Sequence, residues 1–186
     1  MSGNTLVPII DALRHGATAR AGFLGHLDVP LTPQGWAQMR AAVREGGPWD
    51  CAVSSPLTRC AEFAREFAAL RGLPLHVDPR LRELHFGAWE GKDAQELSQT
   101  EPDALSRFWS DPYRHPPPGG ETLEAFETRV LSAWRDLAER HAGQRLLVIS
   151  HGGVIRMLLC HARGLARGEL LRLDVPHASL HRIAPG

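Results

Sequence analysis

The chain has 186 residues, 43% of them hydrophobic, which is enough for one domain of ordinary size with a sizeable core. Its 21 basic and 21 acidic side chains cancel, so no global field recruits nucleic acid or an anionic membrane. Cys51, Cys60 and Cys160 are odd in number and lack Cys-x-x-Cys spacing, which argues against a disulfide framework and against a thiolate zinc site.

Leu6 to Leu13 is mostly apolar and ends at Arg14, the pattern of a buried first strand. Thr32-Pro33 supplies an N-cap with proline at the first helical position. Trp36, Met39, Arg40 and Val43 then fall at helical spacing, and Gly46-Gly47 ends the segment. Asp50 to Ser54 reads as a short second strand. Ser55-Pro56 repeats the cap-and-proline signal before a helix running to Gly72, and Leu75 to Val77 is a third strand.

From Leu81 to Gly120 the character changes. Phe86, Trp89, Phe108, Trp109 and Tyr113 gather here, and the stretch closes on Pro116-Pro117-Pro118-Gly119-Gly120. It reads as an insertion with one or two short helices, a lid or specificity element inside a single domain spanning residues 1–186. A helix follows from Glu121 to His141, with Leu123, Phe126, Val130, Leu131, Trp134 and Leu137 at its periodicity. Arg145 to Ser150 is the clearest buried strand, Val154 to Arg163 is helical, and Ala178 to Ile183 is a last strand. The N-terminus carries no secretory signal pattern and no apolar run reaches the length of a membrane span, so a cytoplasmic protein is expected. Nothing in the sequence bears on oligomeric state.

Strands alternating with helices predict a three-layer α/β/α fold, with a mostly parallel open sheet and helices on both faces. Ligands in such sheets bind beyond the carboxyl ends of the strands. Leu13-Arg14-His15-Gly16 ends the first strand and Ser150-His151-Gly152-Gly153 ends a later one, so His15 and His151 are expected to converge. An imidazole can attack phosphorus, and a guanidinium can hold two phosphoryl oxygens through parallel hydrogen bonds. Arg59 falls in the first turn of the helix after the second strand, where free backbone N–H groups favour an anion. Glu83 offers a carboxylate just before a glycine-punctuated turn. The chain reads as an enzyme with a phosphoryl pocket.

These segments together resemble the histidine phosphatase superfamily in its phosphoglycerate-mutase-like branch, and within it the alpha-ribazole phosphatases of cobalamin biosynthesis. The likeness is carried by Leu13 to Gly16, Gly25 to Thr32 with Gly35, Ser54 to Arg59, Glu83 to Gly91, Asp111-Pro112, Pro117 to Thr122 and Ser150 to Val154. The resemblance implies that His15 is a nucleophile forming a phosphohistidine, with its other ring N–H held by an acceptor such as a backbone carbonyl. It implies that Arg14, Arg59 and His151 surround the phosphoryl oxygens, with Thr18 retained beside them. Glu83 then protonates the leaving alkoxide and later deprotonates water; a neighbouring phosphate dianion favours the protonated carboxyl this needs. No metal and no cofactor is implied, because arginines supply the positive charge.

The partner expected is a small-molecule phosphate ester, alpha-ribazole 5′-phosphate foremost, whose flat benzimidazole the aromatic-rich insertion is suited to stack upon. The alternatives are a broad-specificity phosphatase, a phosphoglycerate-mutase-like enzyme, and a non-catalytic domain that binds a phosphorylated ligand. The chain departs from the family pattern at Ala17 and Ala21, where a glutamate and a phosphate-binding asparagine are usual; Arg20 is the candidate to compensate.

Several residues carry a plainer reading beside the functional one. Glu83 has Arg80 and Arg82 nearby, the makings of a structural ion pair, and Glu90 reads as structural. The aromatics between Phe86 and Tyr113 serve either packing or substrate. His26 and His85 read as loop histidines. His177 and His181 share a face if extended, but no third ligand keeps spacing with them, so they are not read as a metal site.

Overall fold

In the computed structural model, which describes residues 7–183, strands β1 (Ile9–Arg14), β2 (Cys51–Ser54), β3 (Leu75–Val77), β4 (Arg145–Ser150) and β5 (Leu180–Ile183) form one sheet in the order β3-β2-β4-β1-β5. The pairs β2–β3, β2–β4 and β1–β4 are parallel, and β5 alone runs antiparallel, at the edge beside β1. Leu6, read from the sequence as part of the first strand, lies outside the described residues.

Both faces of the sheet are buried, as parallel strands require. Along β1, Ile10 and Ala12 enter one core and Leu13 the other; along β4, Leu146 and Val148 part in the same way from Leu147 and Ile149. Helices α1 (Pro33–Ala42) and α2 (Thr58–Arg71) cover the face of Leu13. The short helices α3 (Ala94–Thr100) and α4 (Pro102–Ser110) join α5 (Leu123–Arg140) and α6 (Gly152–Ala162) on the other. The architecture is the α/β fold expected. No helix among the described residues is long and apolar enough to cross a membrane.

The caps explain where elements begin. Thr32 Oγ1 accepts from Gly35 N at 3.0 Å with Pro33 as the first helical residue of α1, as its sequence dictates. Thr122 caps α5 in the same way. The signal at Ser55-Pro56 misled: α2 starts at Thr58, its N-cap position is Leu57, and no side chain caps it. Ser55 Oγ instead lies 2.7 Å from His151 Nε2, so a tertiary partner took the hydroxyl. Helix α6 begins at Gly152, two residues earlier than the apolar periodicity shows, because the chain turns at His151. A 3₁₀ turn over Arg167–Arg172 follows α6 without a distinct periodicity in its sequence.

The 81–120 segment contains a 3₁₀ turn (Gly87–Trp89) and the helices α3 and α4. Its aromatics divide between the two readings. Trp89 is fully buried and Phe108 nearly so, and both join the α5–α6 core; Trp109 remains 48% exposed.

Asp11 in β1 is a buried charge held by three donors. It accepts from Trp49 Nε1 at 2.8 Å and pairs with Arg145 at 2.7 Å and Arg182 at 3.0 Å. Burial penalises its ionised form, but the bonds from Arg182, Arg145 and Trp49 outweigh that and hold its pKa below the usual carboxylate value. A depressed folded pKa contributes stability above the unfolded value and loses it as pH falls through the folded one. We expect Asp11→Ala to cost about 2–3 kcal/mol near neutral pH, less than for a fully enclosed pair because both arginines reach solvent. Urea melts across pH check this: the gap from wild type narrows as pH drops below about 4.

Candidate active site

The parallel pairing of β1 and β4 sets the residues after each strand side by side. His15 N donates to Ser150 O at 3.0 Å, and the rings of His15 and His151 meet edge-on with centroids 5.4 Å apart. Gly16 packs directly on Gly35, where a Cβ would fall 2.3 Å from the Gly35 carbonyl oxygen, so no larger residue fits. The Gly16 carbonyl folds back to within 2.8 Å of His15 Nδ1. A carbonyl only accepts, so Nδ1 carries the proton and Nε2 keeps the lone pair. Burial, with the charges of Arg59 and Arg14 behind it, holds the His15 pKa well below the ordinary value and keeps the ring neutral.

His15 opens on a cavity of about 350 Å³ whose wall includes Arg14, Arg59, Glu83 and Thr18. Arg14 Nη1 donates to Val175 O at 2.6 Å and Nη2 lies 3.1 Å from His177 Nε2. Its Nε is buried and makes no hydrogen bond among the described residues, which leaves a donor for an oxyanion. Arg59, fully buried, donates to Gly25 O at 2.7 Å, Leu27 O at 2.8 Å and His151 Nδ1 at 3.2 Å. A guanidinium has five N–H donors, so Arg59 keeps others for the cavity while it anchors the 25–27 loop.

Two wall residues were given no role at this site from the sequence. Arg156, one turn into α6, is fixed by its Nε bond to Leu173 O at 2.8 Å. His177, weighed from the sequence only as a metal ligand with His181 and rejected, has its ring centroid 5.5 Å from that of His15 and bonds Arg14. An arginine one turn after a strand-end His-Gly-Gly was a usable signal for the first. The second had none, because its loop reaches the site only through β5.

Glu83 stands at the start of α6. Its Oε2 accepts from Gly153 N at 3.0 Å and its Oε1 from Leu84 N at 3.0 Å. The structural ion pair with Arg80 does not form; Arg80 pairs with Asp78 and Asp136 instead. The Glu83 backbone is held by Arg129, which donates to the carbonyls of Arg80 (2.6 Å), Arg82 (2.7 Å) and Glu83 (2.9 Å) and chelates Glu121. Glu90 is structural, accepting from His26 N at 2.7 Å and Phe86 N at 3.2 Å.

Two expected contacts look different in place. His151 is fully buried and off the cavity wall, with Nδ1 accepting from Arg59 and Nε2 bonded to Ser55, so both ring nitrogens are taken. Thr18 is on the wall, but its hydroxyl donates to Arg20 O at 2.7 Å and has no proton left for an anion. Ala21 and Arg20 also line the cavity. Ala17 is tied to the middle of α1, its N–H donating to Gln38 Oε1 at 2.9 Å.

Gly153 offers a test of Glu83 that keeps the carboxylate. A Cβ there would lie 2.3 Å from Glu83 Oε1, the far end of a flexible side chain, so the carboxyl must swing aside. We expect Gly153→Ala to fold normally and to lower kcat on alkyl phosphates by about 10–100-fold. Unchanged turnover would remove Glu83 from the reaction.

The fold that carries this site is shared with known proteins. Residues 10–186 match the model of the histidine phosphatase superfamily (branch 1). The chain is 34% identical over 163 residues to a protein of Hydrogenobacter thermophilus named as a candidate phosphoserine phosphatase 2, covering 87% of this chain and 80% of that one. It is 33% identical over 158 residues to the adenosylcobalamin/alpha-ribazole phosphatase of Escherichia coli, covering 82% and 78%. The crystal structure of the alpha-ribazole phosphatase from Shigella flexneri superposes with a TM-score of 0.82 at 28% identity, over 94% of this chain and 89% of that one. This chain therefore belongs to the histidine phosphatase superfamily, branch 1. It is a phosphatase, a hydrolase.

Proposed function

We propose that the protein is a single-domain, cytoplasmic phosphomonoesterase that works through a phosphohistidine at His15, with alpha-ribazole 5′-phosphate as its favoured substrate. The observation that carries the mechanism is the His15 ring, neutral, with Nδ1 held by the Gly16 carbonyl and Nε2 open to a cavity walled by arginines. In the first step Nε2 attacks phosphorus in line, forming the N–P bond as the P–O bond to the alcohol breaks. Glu83 gives its proton to the departing alkoxide. In the second step Glu83 takes a proton from water, whose oxygen attacks phosphorus and breaks the N–P bond, releasing inorganic phosphate and neutral His15.

Arg14, Arg59 and Arg156 neutralise the phosphoryl oxygens throughout, with charge-assisted hydrogen bonds worth about 1.5–3 kcal/mol each. Loose phosphoryl-transfer transition states need little beyond such positioning and charge. Arg20 takes over the anion contact that Ala21 cannot make. His151 keeps Arg59 aimed.

The substrate reading rests on the far wall. Phe23, Phe86, Phe108 and Trp109 line the same cavity, with Phe23 4.9 Å from Phe86 and 6.0 Å from Trp109 between ring centroids. A flat apolar base on a ribose phosphate suits such a wall better than a sugar does. In a panel of phosphate esters ranked by kcat/KM, alpha-ribazole 5′-phosphate is expected to lead. Trp109→Ala is expected to cost it about tenfold, through one lost aromatic contact, while sparing glycerol phosphates. A flat ranking, or an equal loss on both, favours the broad-specificity alternative.

A further inference from the structure

The geometry points to a second site: Cys51, His76 and His141 form a binding site for a zinc ion at the edge of the sheet opposite the active site. One ligand atom from each residue lies within 4.8 Å of the others. The three arrive from rigid and separate elements. Cys51 opens β2, whose other end leads into the phosphoryl cavity. His76 sits in β3 in register with Val53, so it faces the same side of the sheet as Cys51. His141 ends α5, the helix packed on that face.

The chemistry of the set selects the metal. A thiolate with two imidazoles is a zinc donor set and a poor one for magnesium or calcium, which prefer oxygen. A zinc-binding histidine usually donates its second ring nitrogen to an acceptor, which fixes the tautomer. His141 Nδ1 does so, 2.6 Å from Gln144 Oε1, leaving Nε2 with its lone pair. The neighbouring carboxylates are committed elsewhere, Asp78 and Asp136 both to Arg80. Zinc bonds of about 2.0–2.3 Å draw tetrahedral ligands to roughly 3.5 Å of one another, so the side chains close by about 1 Å on binding. His76 is exposed, which gives the ion a route in and a water in the fourth position. Coordination replaces the Cys51 thiol proton, which passes to solvent. The ion ties β2, β3 and the end of α5 together and takes no part in turnover.

Cobalt(II) is the probe, because a cobalt–thiolate bond absorbs in the near ultraviolet and nitrogen or oxygen ligation does not. Titration of the chelator-stripped protein is expected to show one cobalt per chain with that band, displaced by zinc. Zinc raises the Tm of the wild type and not of Cys51→Ala. The band disappears in Cys51→Ser and in Cys51→Ala, and affinity falls at least about tenfold in His76→Ala and His141→Ala. His15→Ala keeps the band. Chelator leaves phosphatase activity unchanged. The thiol beside the active-site imidazoles is the control, since Cys60 Sγ lies 3.7 Å from His151 Nε2. Cobalt bound without the band, a band that survives both Cys51 substitutions, or one lost in Cys60→Ser instead overturns the proposal.

Discussion

His15→Ala is expected to abolish turnover, and wild-type enzyme denatured without acid during turnover is expected to carry an acid-labile phosphate on His15. The argument is one of tautomer and access. His15 is 4% exposed, its Nδ1–H is spent on the Gly16 carbonyl, and burial with Arg59 and Arg14 nearby keeps the ring unprotonated. A histidine that was merely an acid or base would lose about two to four decades on removal and leave no covalent species. A nucleophile loses the whole double-displacement route. Rapid-quench labelling with a radioactive ester separates the cases. Residual turnover within those few decades, with no labelled protein, assigns the attack to another group. The low pKa also sets the pH behaviour. Because the ring is neutral well below the ordinary histidine value, acidification through pH 6.5 is not expected to weaken attack by protonating His15 in the free enzyme.

Glu83→Gln is expected to separate substrates by their leaving groups. A ribose 5′-phosphate releases an alkoxide that departs only when protonated, whereas p-nitrophenolate leaves unaided. General acid catalysis contributes about 10²–10⁴-fold, so the first phosphoryl transfer from the alkyl ester should fall by about that factor while that from p-nitrophenyl phosphate is largely spared. The carboxyl is placed for the task by Gly153 N–H at the start of α6, and its backbone is held by Arg129. Glutamine keeps the size and its oxygen can still accept from Gly153, while the bond from Leu84 N is lost. Pre-steady-state measurement isolates the first transfer from hydrolysis of the phosphohistidine, where Glu83 serves again as base. Equal slowing of both esters in that first step would make Glu83 structural.

The elements that sequence periodicity located well are those whose burial is regular. Arg145–Ser150 and Leu75–Val77 occupy the predicted spans, and the α5 helix differs by two residues at its start and one at its end. Alternation of strands and helices was also enough to place Arg14, His15 and Arg59 at one end of the sheet, since parallel pairing carries the chain to the same edge each time. Glu83 reached the same cavity by a loop, and there the family motif, not periodicity, was the guide.

What the tertiary structure alone decided is which polar groups meet. Ser55 has the local chemistry of a helix cap, but a buried imidazole competed for its hydroxyl and won. Thr18 and His151 carry the right groups for an anion, yet Arg20 O takes the proton of one and Arg59 and Ser55 occupy the nitrogens of the other. His177 enters the site from 162 residues beyond His15, and Cys51, His76 and His141 assemble from three segments with no shared spacing. Hydrophobic patterning reports which face of an element is buried; it is silent on hydrogen-bond partners, which depend on directional contacts between loops that only the folded sheet brings together.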